Sequence, residues 1–171
     1  RDGQPPLIWL SEQAAYRRGQ GVRGGVPICW PWFGDLKRNP SAVQALAPDL
    51  DGAAFHGGVR SRDWQLVESR VDADGVSLTF SGPTPAAGNP AWPAELTVSL
   101  QIRLDQQLQI RLLSHNHGSQ ALTLSQALHS YFAVSDIRQV EVEGLADCRY
   151  IDTLDDWQEH QQVDALGFAG E

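Results

Sequence analysis

Apolar and polar residues alternate with period two over residues 96–104, where Leu96, Val98, Leu100, Ile102 and Leu104 are separated by Thr97, Ser99, Gln101 and Arg103. Side chains two apart share one face of a strand, so this pattern predicts a β-strand with one face turned to a core. Leu108, Ile110 and Leu112 repeat it after Asp105-Gln106-Gln107, which predicts a hairpin. A second hairpin is expected upstream, from strands over 64–71 and 76–80 joined by the turn Ala73-Asp74-Gly75. Residues 81–93 carry Pro83, Pro85, Pro90 and Pro93 and so form a connecting loop, because proline removes a ladder donor.

Beyond a turn at 116–120, Leu122, Leu124 and Leu128 fall on one face of a further strand. Thr123, Ser125, Ala127, His129 and Tyr131 fall on the other. Val140 and Val142 mark one more strand. The first 63 residues read differently, with glycines at 19, 21, 24, 25, 34, 52, 57 and 58 interrupting every apolar run. Only residues 41–46 predict a short helical turn there, with Ser41 as N-cap and Pro48 as the stop. Many short strands and no helical segment of comparable strength predict an all-β, antiparallel sandwich or barrel.

Composition narrows the class. Hydrophobic residues make up 42% and charged residues 20% of 171, the balance of a folded chain and not of a disordered one. That length predicts one domain over 1–171. Lys plus Arg number 13 against 21 Asp plus Glu, and the net charge of -8 opposes general attraction to nucleic acid or an anionic membrane. No window of 18 apolar residues and no signal-peptide pattern is visible, so a cytoplasmic location is the default expectation. The two cysteines, Cys29 and Cys148, lack zinc-site spacing and read as free, buried thiols. The sequence holds no methionine, even at position 1, which predicts that it is an excerpt of a longer chain.

Four places could carry chemistry. His129 sits on the small, hydroxylic face of its predicted strand, where an imidazole with a pKa near 6.5 suits proton transfer; a structural histidine bonded to a neighbour is the alternative. Residues 55–64 bring together an imidazole, two guanidinium groups, a carboxylate and an indole around Gly57 and Gly58. They suit an anionic sugar ligand, or equally a plain surface loop with an Arg62–Asp63 ion pair. Residues 23–34 hold two prolines and three large aromatics in seven positions and predict an extended, buried path, with Arg23, and secondarily Trp32, left to reach a ligand. His115 and His117 lack a third metal ligand and read as solvated turn histidines, and the acidic run from Asp147 to Asp164 reads as solvated surface.

The stretches RGGVPICWPWFG (23–34), HGGVRSRDW (56–64), ALHSYFAVSDI (127–137) and EGLADCRYID (143–152) closely resemble, in this order, the hallmark stretches of the D-hexose-6-phosphate mutarotases. These glucose-6-phosphate 1-epimerases belong to the aldose 1-epimerase superfamily. The resemblance implies a β-sandwich of the galactose-mutarotase type, here incomplete at both ends, and interconversion of the α and β anomers of a phosphorylated aldose without metal or organic cofactor. His129 matches the family's catalytic histidine, the general acid, and His56 its second active-site histidine. Arg23 and Arg60 match the arginines associated with the substrate and its phosphate. Phe55 departs from the pattern, since some relatives place glutamine there. The family's base is a glutamate whose expected place lies beyond Glu171. The implied partner is a small phosphosugar, with a free-aldose 1-epimerase or a noncatalytic carbohydrate-binding module on the same fold as alternatives.

Overall fold

The structure, a computed structural model, describes residues 5–17, 22–86 and 91–169. It forms two compact units: one runs from Leu10 to Tyr131, and the other joins residues 5–9 to 132–169.

The first unit is built on a four-stranded antiparallel meander of β2 (Gln65–Val71), β3 (Val76–Ser81), β4 (Leu96–Leu104) and β5 (Leu108–Asn116), paired in that order. The register sets Leu66, Phe80, Leu100 and Leu112 in one row and Leu78, Ile102 and Ile110 in another, so the alternation read from sequence becomes one continuous apolar face. At the β2–β3 turn, Asp72 Oδ1 accepts from the amides of Asp74 and Gly75. Its carboxylate is also gripped by two Arg103 N–H donors, at 2.7 and 2.9 Å. That grip holds the Asp72 carboxyl well below the usual carboxylate range.

Three tryptophans seal one end of this face. Trp30, Trp32 and Trp92 are fully buried with Leu36, Val43, Leu46, Val59, Leu96 and Val98. Trp30 meets Trp92 edge to face at 5.4 Å, and the indole N–H groups of Trp30 and Trp32 donate to Ser114 Oγ and the Ala54 carbonyl. Away from this cluster the face opens, with Leu66, Val71 and Leu104 exposed.

The long strand expected over 122–131 shrinks to β6 (Ala127–Leu128), which pairs with β1 (Ile28–Cys29). Prolines explain the contraction. Ser125 N–H donates to Pro31 O and His129 N–H to Pro27 O, but neither proline has an N–H to return, so the ladder ends on both sides. The helix spans Ser41–Gln44, and its N-cap is Pro40, with Ser41 as the first helical residue and no side-chain cap. Pro40 has extended backbone, which moves the cap one residue ahead of the predicted Ser41.

In the other unit, β7 (Glu141–Val142) pairs with β10 (Leu166–Gly167), and β8 (Arg149–Asp152) with β9 (Gln158–Gln161). The β8–β9 hairpin escapes a periodicity reading because most of its side chains are exposed on both faces. Cys148 stands exposed in this unit; the sequence placed it in a core, but it lies in a polar surface turn. Cys29 is buried and both thiols are free.

Gly57 locks β1 to the loop that follows the helix. Its φ is +84°, and a Cβ there would sit 2.0 Å from the Trp30 carbonyl oxygen, while Gly58 N–H donates to that same oxygen at 3.0 Å. Gly57→Ala is therefore expected to cost about 2–4 kcal/mol through combined strain and backbone displacement. A urea titration that leaves the midpoint of the variant unchanged would refute this close approach.

Candidate functional site

The segment 30–34 and the segment 56–58 are tied by reciprocal bonds that fix an imidazole. His56 N–H donates to Gly34 O at 2.9 Å, and Gly34 N–H donates to His56 Nδ1 at 3.1 Å. The second bond needs a lone pair on Nδ1, so the neutral ring carries its proton on Nε2 and presents an N–H donor. His56 has a φ of 66°, a left-handed conformation that a non-glycine residue adopts only where surroundings enforce it. Burial, then the charges of Arg60 and His129, push its pKa below the ordinary 6.5.

His129 follows β6 directly, and its amide is held by Pro27 O at 3.0 Å. The ring centroids of His129 and His56 lie 5.8 Å apart, nearly perpendicular, and Tyr131 stacks on His129 at 5.1 Å. Among the described residues neither ring nitrogen of His129 has a hydrogen-bond partner. The two histidines named from sequence, 73 positions apart, thus meet in one cluster.

Two phenylalanines complete it. Phe33 is 41% exposed and centred 5.0 Å from His56 and 6.2 Å from His129; Phe55 is 63% exposed and packs edge-on against His56 at 4.3 Å. The aromatic that reaches this cluster is Phe33 and not Trp32, which is only 1% exposed and donates its indole N–H to Ala54 O. Alternation along an extended backbone explains the difference, since consecutive side chains point opposite ways and only one can join the core. That signal was present in sequence but could not say which neighbour faced outward.

Beside Phe55 opens a cavity of about 930 Å³, lined by Arg17, Arg60, Arg62 and the backbone of Gly24, Gly25 and Gly57. Arg60 faces it and lies near enough to act electrostatically on both His56 and Cys29, although burial dominates at Cys29 and pushes its thiol up. Arg62 donates to Thr84 O at 3.2 Å and lies over the Trp92 ring at 5.2 Å. Arg23 is exposed; its neighbours Val22 and Gly24 line the cavity, while Arg23 itself does not. Arg17, which sequence reading passed over, does.

His115 ends up within β5, stacked on His117 at 4.4 Å, with His117 Nε2 at 3.0 Å from Thr97 Oγ1. No group of three or more His, Cys, Asp or Glu among the described residues is placed to hold a metal. Nor is any helix there long and apolar enough to cross a membrane.

The chain presents an all-β fold with two apposed imidazoles beside a cavity lined by Arg17, Arg60, Arg62 and Asp63, and comparison gives that fold its family. The aldose 1-epimerase family matches residues 1–168, and the chain belongs to that family. It is 37% identical over 164 residues to a candidate glucose-6-phosphate 1-epimerase of Escherichia coli (strain K12) and 38% identical to one of Salmonella typhimurium. Each match covers 96% of this chain and 50% of the relative, so the chain spans about half the length of the curated relatives it matches. The crystal structure of a candidate mutarotase from Salmonella typhimurium superposes with a TM-score of 0.76 at 35% identity, covering 98% of this chain and 52% of that one. The fold is thus the mutarotase fold of this family.

The geometry of His56 is open to direct measurement. Ring nitrogen shifts in ¹⁵N NMR are expected to report the Nε2–H tautomer and a pKa below 6.5. Because the folded state binds this proton less readily than the unfolded chain, the contribution to stability is complete above about pH 6.5 and is lost as pH falls toward the folded pKa. His56→Asn, which tolerates positive φ, should flatten that part of the stability profile. An Nδ1–H tautomer would contradict the Gly34 bond.

Proposed function

We propose that the protein carrying this chain interconverts the α and β anomers of a hexose 6-phosphate. The observation that carries this reading is the apposition of His56 and His129, 5.8 Å apart, next to the cavity that Arg60 lines. Membership of the aldose 1-epimerase family, and relatives named for glucose-6-phosphate 1-epimerase activity, support it.

Anomerisation needs a proton delivered to the ring oxygen and another removed from the anomeric hydroxyl. The C1–O5 bond then breaks as the C1 carbonyl forms, and rotation about C1–C2 before reclosure inverts C1. His129 is the general acid: its ring nitrogens are uncommitted among the described residues, and it regains the proton when the ring closes on the other face. His56, neutral and locked through Nδ1, holds a sugar oxygen with its Nε2–H and adds no charge to the site. The base is the glutamate that the family resemblance places beyond Glu171. Arg60, which lines the cavity, holds the phosphate, since a planar guanidinium can meet two phosphate oxygens at once; Arg23, exposed between the lining residues Val22 and Gly24, is the second arginine that the resemblance assigns to it. The phosphosugar reading needs such a local cation, because a net charge of -8 repels a dianion from the molecule at large.

His129→Ala in the full-length protein should lower the anomerisation rate by about 10²–10⁴ with the fold intact. Exchange NMR on glucose 6-phosphate reads this rate, and an unchanged value would remove His129 from the mechanism. Arg23→Ala and Arg60→Ala should each weaken glucose 6-phosphate binding by about 1.5–3 kcal/mol, the scale of a hydrogen bond to a charged group, while scarcely affecting glucose. Equal calorimetric losses for both sugars would move the protein to the free-aldose epimerases.

A further inference from the structure

Phe33 combines two properties: its ring is exposed, yet its backbone is held by two side chains, one six positions on and one 92 positions away. Its N–H donates to Ser125 Oγ at 3.0 Å, and its carbonyl accepts from Asn39 Nδ2 at 2.8 Å. Ser125 Oγ in turn donates to Asn39 Oδ1, closing a ring of bonds around residue 33. Asn39 is itself fixed, its Nδ2 also donating to Asp35 O at 2.9 Å and its own carbonyl accepting from Gln44 Nε2 at 2.7 Å. On the other side Gly34, at a φ of 69°, is bonded to His56 through both its N–H and its carbonyl.

An exposed phenylalanine on a loose loop would need no such support. Here both backbone groups of Phe33 are bonded to side chains, a serine and an asparagine, which holds residue 33 in place with its ring beside both imidazoles. A rigid apolar face flanked by polar groups is the form of a site that holds a ring with one apolar side. A hexopyranose is such a ligand, because its axial C–H bonds gather on one face while its hydroxyls project from the rim.

We infer that Phe33 is the platform on which the apolar face of the hexose ring stacks, and that Asn39 and Ser125 are positioning residues that hold this platform against His56 and His129. The inference rests on the anomerase reading and adds to it the element that grips the sugar ring as distinct from the phosphate. Preorganisation is the physical gain: the ring loses no freedom when substrate arrives, and the ring oxygen is brought to a fixed place relative to His129.

The test uses the full-length protein with glucose 6-phosphate, glucose and inorganic phosphate as probes in calorimetry. Phe33→Ala is expected to weaken both sugars by the same factor, about 5- to 20-fold, while the phosphate affinity stays within about twofold. Phe33→Trp should retain sugar binding. In NMR, the pyranose ring protons should shift upfield on binding to the unaltered protein, as protons over an aromatic face do. Phe33→Leu should abolish that shift, even if its bulk keeps part of the affinity. Ser125→Ala should raise KM and reduce the ring-proton shift.

Sugar affinities unchanged in Phe33→Ala, or an upfield shift that survives in Phe33→Leu, would overturn the platform while leaving the anomerase reading in place. Loss of phosphate affinity along with the sugars would overturn it too, as a general disruption of the site. An unaltered protein that binds neither sugar would overturn both readings together.

Discussion

Everything around the candidate site hangs on one backbone interlock, in which residues 30–34 and 56–58 exchange hydrogen bonds at a separation that only glycine permits. The Trp30 carbonyl accepts from Gly58, and the absent Cβ of Gly57 lets the two segments approach to that distance. Gly34 then closes both ends of His56. Because the same stretch buries Trp30 and Trp32 in the core, the anchoring of the hydrophobic cluster and the orientation of the imidazole are one event. A shift of a few tenths of an ångström in the core would therefore reach the His56 ring, whose conformation at positive φ is tolerated only while these bonds persist.

The prolines that frame Ile28–Cys29 do a second job. A full ladder between 26–32 and 124–130 would be a uniform strand pair. Removing two N–H donors ends the pairing after two residues on each strand. Ser125, freed from the ladder, turns its hydroxyl to Phe33 and Asn39, and the amide of His129 still reaches Pro27. The short strand thus delivers His129 with ladder precision, while the residues around it remain irregular enough to contribute side chains to the site.

Charge is distributed in the same spirit. The chain is acidic as a whole, and the run from Asp147 to Asp164 belongs to the unit formed by residues 5–9 and 132–169. Within the unit that holds both histidines, three arginines, Arg17, Arg60 and Arg62, and one carboxylate, Asp63, line one cavity. Arg62 is partly committed to Thr84 and Trp92, which stiffens the wall, whereas Arg60 acts on His56 and helps keep it neutral. A neutral donor beside an imidazole whose ring nitrogens are unbonded among the described residues is a pair suited to moving one proton without accumulating charge.

The four meander strands were legible in the sequence because half-buried antiparallel strands write their burial as period-two alternation. So was the family, through the motifs that carry the two histidines and Arg60, whose glycines and aromatics are unusual enough to mark it. The β8–β9 hairpin was not legible, since strands exposed on both faces leave no such record. Nor could the sequence rank Trp32 against Phe33, or show that Asn39, and Ser125 on the polar face of its predicted strand, bond to the Phe33 backbone. Those assignments depend on contacts across 6 and 92 positions, which no local pattern encodes. Local periodicity is set by what each strand buries; which side chain faces a site is decided only when distant segments compete for the same core, and that competition exists in the tertiary structure alone.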